Sequence, residues 1–270
     1  MTSYAEQPPL DITSATNPRI KWLVSLRKRR TREAERVTLV EGLAELSLAL
    51  DAGVVPLQVF HSPALTHDAE TVFRRIAPQS TQVTSVSEAA FAKASYRQSP
   101  DGWLAVVRDP VRRLDTLTLN SEPLVLVCES IEKPGNLGAM LRTAEAAGVD
   151  AVVAASPVAD WGNPNVVRAS KGAVFAIPLA SASTDEVIVW LRAQGLSIVV
   201  ATPNSDTLFT ALDLAGPAAI VVGAEHEGVS SPWLEAADHT AKVPMRGRMN
   251  SLNVATSAAL LIYEAVRQRA

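Results

Sequence analysis

Three stretches of this 270-residue chain gather side chains that could bind a ligand and manage a proton. In residues 129–142 a Pro134-Gly135 turn precedes a helix start at Asn136, so backbone N–H groups point outward. Arg142 follows six residues later, placed to project from the same end region of that helix. In residues 223–230 a glycine, Gly223, leaves a strand and lets a ligand approach the main chain, and Glu225 could hold a hydroxyl or an amine. In residues 244–253, Ser251-Leu252-Asn253 opens a largely apolar helix. Taken singly these are a capped helix with a surface arginine, a tight turn with solvated acids, and an N-cap. Other chemistries lose support. There is no GxGxxG and no GxxxxGK[ST]. His61, His67, His226 and His239 lack metal-ligand spacing, and the single cysteine, Cys128, lies in an apolar run that suits a buried small side chain.

The elements that must carry these stretches alternate strand and helix. Continuous apolar strands are expected over 124–128, 151–154, 198–201, 219–223 and 241–243, and such runs with helices between them imply a parallel sheet covered on both faces. Ligands of open α/β sheets sit beyond the carboxyl ends of the strands, where all three stretches fall. Ser183 followed by Glu186 forms a capping box for a helix running to Gln194, and the last helix is expected over 252–269. Upstream, Asn17 caps a helix that begins at Pro18. Strands over 37–40, 55–60, 82–86 and 103–107 alternate there with helices over 42–52, 67–76 and 87–93. Residues 108–123 carry two prolines and no period and read as a connection. The expected organisation is therefore an N-terminal α/β domain over 12–107, a linker over 108–120 and a second α/β domain over 121–270.

Composition sets outer limits. With 47% hydrophobic and 20% charged residues the chain can bury a sizeable core, which excludes a disordered or collagen-like protein. No apolar run is long enough to span a bilayer, and residues 1–10 do not read as a secretory signal, so a reducing cytoplasm is expected. Aromatics, at 5%, are too few for a broad base-stacking platform. The net charge of -3 hides an asymmetry: residues 17–36 hold eight basic side chains against Glu33 and Glu35. That segment suggests a local anionic partner.

Together the three stretches resemble the ordered motifs of the SpoU (TrmH-like) branch of the SPOUT RNA methyltransferases. The first matches at Asn136 and Arg142, the second at Gly223, Glu225 and Gly228, and the third at Pro244, Met245, Ser251, Leu252 and Asn253. Residues 163–173 are also similar to that family, while 17–21 and 39–42 are similar to its L30e/L7Ae-like substrate-binding domain. The resemblance implies an α/β catalytic domain tied in a trefoil knot, although the strand pattern alone predicts an unknotted doubly wound sheet. It implies a homodimer through the C-terminal domain, no metal, and S-adenosyl-L-methionine held by Ala201, Thr202, Val222, Gly223, Gly228, Val243, Pro244, Met245, Ser251 and Leu252.

The implied reaction methylates a ribose 2′-hydroxyl, most readily in 23S rRNA, with tRNA as the alternative. Asn136, Arg142, Glu225, Ser251 and Asn253 are the implied catalytic set. A guanidinium is a poor base, so Arg142 is expected to orient the hydroxyl and its phosphate and to stabilise alkoxide charge. Arg19, Lys21, Arg27, Lys28, Arg29, Arg30 and Arg32 are expected to grip RNA phosphates. Lys133 stands where relatives often carry an acid, and an altered substrate contact is expected there. A non-catalytic RNA-binding protein on the same scaffold is the reading from a different class. The nucleotide, the base and the choice between housekeeping modification and antibiotic resistance are not legible.

Overall fold

The computed structural model describes residues 10–67, 69–79 and 81–270, and the chain divides into two compact units between Asp109 and Pro110. All but the last residue of the expected polar opening, 1–10, lies outside the described residues, as does position 68 of the helix expected over 67–76.

In the N-terminal unit, α1 (Pro18–Ser25) starts as expected. The Asn17 side chain accepts from the Arg19 N–H at 2.8 Å, and Pro18 occupies the first turn, where its missing N–H costs nothing. Then follow α2 (Arg29–Glu35), β1 (Val37–Glu41), α3 (Leu43–Asp51), β2 (Gln58–His61), α4 (Ala69–Ile76), β3 (Gln82–Ser85), α5 (Glu88–Ala94) and β4 (Trp103–Arg108). The sheet order is β1–β4–β2–β3, with β4 antiparallel to both neighbours and β2 parallel to β3. Strand side chains alternate between faces. Leu39, Phe60, Leu104 and Val106 meet Ile20 and Leu23 of α1, Leu26 at its C-cap and Phe91 of α5, all buried in one cluster. Strand β2 begins three residues later than expected, because Val55 is half exposed and Pro56 has no N–H for a ladder.

The C-terminal unit adds β5 (Val111–Arg112), β6 (Leu124–Glu129), α6 (Pro134–Ala146), β7 (Ala151–Ala155), α7 (Pro164–Ala169), β8 (Leu179–Ala182) and α8 (Thr184–Ala193). It ends with β9 (Ser197–Ala201), β10 (Ala218–Val222), α9 (Ser231–Ala236), β11 (His239–Ala241) and α10 (Val254–Arg269). The expected parallel sheet is present and larger than expected. Among the described residues its seven strands run in the order β11–β9–β10–β6–β7–β8–β5, and every pairing is parallel. Leu124, Leu126 and Cys128 face the layer of α6, α7 and α10. Val125 and Val127 face α8 and α9. Both faces are thus covered, which explains why β6 reads as an uninterrupted apolar run. The Cys128 thiol is fully buried in the first of these layers, and burial pushes its pKa up.

Four expectations need correction. Strand β8 was not foreseen because its Leu-Ala-Ser-Ala sequence lacks β-branched and aromatic side chains. The stretch 108–123 is not without regular structure: β5 pairs with β8 at the sheet edge, and a single 3-10 turn covers Leu114–Thr116. Strand β11 lies two residues earlier than expected, set by pairing of His239 with Val199 and Ala241 with Ala201. The last helix starts at Val254, not 252, because Asn253 is its cap. The Ser183–Glu186 capping box is present in full.

Candidate active site

The three stretches converge beyond the carboxyl ends of β6, β9, β10 and β11. Asn136 lies in the first turn of α6, and its Nδ2 donates to Glu225 Oε1 at 2.6 Å. Glu225 sits in the loop after β10. Asn253 comes from the far end of the sequence and reaches both: its Nδ2 donates to Asn136 Oδ1 at 3.1 Å and to Glu225 Oε1 at 3.2 Å. Its own Oδ1 is committed to the Ala255 N–H at 3.0 Å as the cap of α10. That commitment sets the orientation of the amide, because an acceptor turned to the helix leaves only the N–H₂ for Glu225. The cap is structural and site-building at once.

Lys133 completes the group. Its Nζ is bound to Glu225 Oε2, so one carboxylate oxygen takes an ammonium and the other takes two amides. The Lys133 hydrogen bond, then the Asn136 one, hold the Glu225 carboxyl below its ordinary pKa, so it is ionised at neutral pH. The cluster is an oriented set of donors and one fixed negative charge. A small cavity of about 190 Å³ opens between Lys133, Asn136, Glu225 and Val254.

A larger cleft of about 480 Å³ abuts it and shares Ala224 and Glu225 with it. Nine of the ten expected cofactor-binding residues line this cleft: Ala201, Thr202, Val222, Gly223, Gly228, Val243, Met245, Ser251 and Leu252. Pro244 does not line it. The loop after β10 folds back on itself to form one wall. Ala224 bridges Gly228, whose N–H donates to the Ala224 carbonyl at 2.9 Å. A Cβ on Gly223 would collide with the Gly228 carbonyl, so a glycine is required there. The small or apolar residues Ala201, Val222, Gly223, Ala224 and Val243 along this lining let a flat heteroaromatic ring approach the main chain. On the other side of α6, a Cβ on Gly138 would run into Ala169, which locks that helix against α7.

Known proteins are similar to this chain over most of its length. Residues 123–263 fit the model of the SpoU rRNA methylase family, and residues 17–105 fit the MRM3-like substrate-binding domain. The chain belongs to the SpoU rRNA methylase family. It is similar to the 23S rRNA (guanosine(2553)-2′-O)-methyltransferase RlmP of Bacillus subtilis, 31% identical, with 93% of this chain and 97% of the relative covered. It is equally similar, at 31%, to the 23S rRNA (uridine(2479)-2′-O)-methyltransferase of Streptomyces viridochromogenes, over 92% of this chain and 88% of the relative. An AdoMet-bound rRNA methyltransferase from Sinorhizobium meliloti superposes with a TM-score of 0.87 at 28% identity, covering 95% of this chain and 97% of that one.

Other expected SpoU site residues are placed apart. Asn136 and Arg142 do not share one end of α6: six residues carry Arg142 about 9 Å along the axis and about 120° round it. Arg142 is exposed, and its guanidinium hydrogen-bonds to none of the described residues. Ser251 lines the large cleft and stays outside the hydrogen-bonded cluster.

The basic segment of the N-terminal unit divides. Arg32 is only 3% exposed and donates to the carbonyls of Leu26 and Arg27, both at 2.9 Å. Arg27 donates to the carbonyls of Lys93, Ala94 and Ser95 at the end of α5. Both guanidiniums are therefore taken up by helix-end carbonyls, which corrects their expected RNA-facing placement. Arg19 bonds Gln58 at 3.0 Å and lies over the Phe60 ring, and Arg29 pairs with Glu33 at 2.7 Å. Lys21, Lys28 and Arg30 are exposed.

Sequence reasoning missed several cleft residues, among them Asn204, Lys242, Asn250 and Ser257. Lys242 could have been found, since it directly follows the end of β11, and so could Asn204, three residues beyond the end of β9. Among the described residues no group of three or more His, Cys, Asp or Glu side chains could hold a metal ion, and no helix is long and apolar enough to cross a membrane.

Proposed function

We propose that the protein transfers a methyl group from S-adenosyl-L-methionine to a ribose 2′-hydroxyl of 23S rRNA. The observation that carries this reading is the Lys133–Asn136–Glu225–Asn253 cluster standing at the edge of a backbone-lined cleft. The cleft fits the cofactor by volume and by chemistry. Its size falls within the range of small-molecule sites, and the glycine at 223 exposes main chain where an adenine edge needs hydrogen bonds. Gly223, Val243 and Leu252 would hold adenine and ribose, with Thr202, Met245 and Ser251 around the remainder; Pro244 would act through the backbone turn it imposes. When bound, S-adenosyl-L-methionine supplies a methyl group already activated on a sulfonium, so the protein needs neither metal nor covalent nucleophile.

The chain's own work is alignment and charge control. Asn136 and Asn253 fix Glu225, and Glu225 fixes Lys133 at the mouth of the small cavity. The Arg142 guanidinium, without a partner among the described residues, is available to a phosphate or an acceptor hydroxyl. A guanidinium holds its proton, so its part is to orient the acceptor and offset alkoxide charge, with water or phosphate taking the proton. Exposed Lys21, Lys28, Arg29 and Arg30 present the N-terminal unit's positive charge to RNA phosphates. The reading includes a homodimer through the C-terminal unit, a knotted C-terminal segment and a cytoplasmic location, all implied by family resemblance.

The test is methyl transfer from labelled S-adenosyl-L-methionine to unmodified 23S rRNA, with tRNA in parallel and nucleosides resolved by mass spectrometry. A 2′-O-methylated nucleoside from 23S rRNA is expected. Label confined to tRNA, or cofactor binding with no transfer to RNA or ribosomal subunits, would overturn the substrate or the reaction.

A further inference from the structure

Glu129 is the most deeply buried carboxylate among the described residues, and it lies outside the cluster and outside both cavities. Glu129 ends β6, is 3% exposed, and has no cation within ion-pair distance among the described residues. Burying a charge without a counter-ion costs several kcal/mol unless donors surround it. Three do so here. Ser230 gives two of them, its N–H to Oε2 at 2.7 Å and its hydroxyl to Oε1 at 2.5 Å, and the Thr184 hydroxyl gives the third at 3.1 Å. Thr184 is itself joined to the Ser156 hydroxyl at 3.1 Å.

Ser230 closes the loop that starts at Gly223 and carries Glu225. As residue before α9 it would ordinarily cap that helix, yet its side chain makes no cap bond and turns to Glu129 instead. The loop is thus held at one end by the Gly223–Gly228 contact and at the other by a single carboxylate 101 residues away in sequence. Neither Glu129 nor Ser230 touches the cleft.

We infer that Glu129 is a positioning residue: through Ser230 it sets the 223–229 wall against which the cofactor lies. This rests on the cofactor reading of the cleft. Two bonds to a charged group are at stake, and losing one well-formed charge-assisted bond corresponds to about a tenfold change in affinity.

The experiment uses the full chain with Glu129→Gln, Ser230→Ala and Ser230→Thr, and measures S-adenosyl-L-methionine Kd, kcat at saturating cofactor, thermal midpoint and amide exchange over residues 224–229. Glu129→Gln and Ser230→Ala are expected to raise Kd about tenfold and to speed exchange of the loop, with kcat at saturation held within about threefold. Ser230→Thr, which keeps the hydroxyl on an exposed residue, restores both. A merely structural role would lower the thermal midpoint while leaving the folded protein's Kd and loop exchange unchanged, and that result overturns the inference; so does a Ser230→Thr that behaves like Ser230→Ala. If Glu129→Gln does not fold, the serine pair decides. Should the wild-type chain fail to bind the cofactor, the functional reading falls, and loop exchange in Ser230→Ala still decides the role of Glu129.

Discussion

The two units use charge in opposite ways. In the C-terminal unit a handful of polar side chains from distant parts of the sequence meet on one carboxylate, and nearly every donor and acceptor in the group has a partner. In the N-terminal unit eight basic residues are clustered within residues 17–36 yet are dispersed in space. Two of their guanidiniums hold helix ends together, while others face solvent. Proximity in sequence was a poor guide to shared work, and separation in sequence was no obstacle to it. What distinguishes the units is whether a charge is committed to the fold or left for a partner.

The contrast can be broken first at Arg142, an expected catalytic side chain with no hydrogen bond or ion pair to the described residues. Arg142→Ala is expected to lower methylation by at least about a hundredfold, the scale of removing one oriented charge-stabilising donor, with cofactor affinity and thermal midpoint unchanged. Single-turnover transfer to 23S rRNA measures it, and an active variant would remove Arg142 from the mechanism. The next largest effect falls inside the N-terminal unit. Arg32→Ala strands the buried Leu26 carbonyl and the half-buried Arg27 carbonyl and should cost about 2 kcal/mol in urea unfolding, whereas Lys28→Ala with Arg30→Ala should cost almost nothing. The double variant should instead flatten the salt dependence of RNA binding by about two counter-ions. Reversal of these two outcomes would mean that the committed and the free cations have been misassigned.

A smaller effect tests the electrostatics of the cluster. Glu225 has a lowered folded pKa, so its favourable contribution is complete above the ordinary carboxylate value and is lost only as pH falls through the lowered one. Lys133→Met should move that loss upward, so the acid limb of cofactor binding, followed from about pH 7 to pH 4, appears at higher pH than in the wild type. Superimposable limbs would show that the ammonium does not govern Glu225. The smallest shift is expected from Asn253→Ser. Serine keeps the helix cap, leaving stability within about 1 kcal/mol, but it removes the amide donor and should lower methylation severalfold.

Much of this was legible before any coordinates. Parallel strands with apolar runs, the caps at Asn17 and Ser183, and nine cleft residues follow from local patterns or family motifs, because each depends on few neighbours. Short strands such as β8 escaped, since pairing with β7 and not intrinsic preference makes them strands. The burial of Arg32 escaped for a related reason: a guanidinium surrounded by basic neighbours reads as solvated until the carbonyls of Leu26 and Arg27 are placed around it. Glu129 had no signal at all. Its donors lie 55 and 101 residues away, and nothing in a run of letters couples them.

The double duty of Asn253 narrows what mutation can explore at that position. Aspartate would preserve the acceptor that starts α10 and abolish the donor that Glu225 receives, and serine would keep the acceptor but replace the amide donor with a shorter hydroxyl; lysine would supply a donor and leave the helix uncapped. Glutamine has both groups, but its extra methylene places them beyond the first-turn N–H groups. A route through single substitutions therefore crosses a variant with either a frayed terminal helix or an unanchored carboxylate, and drift in substrate preference is channelled to residues, such as Lys133, that answer to only one demand.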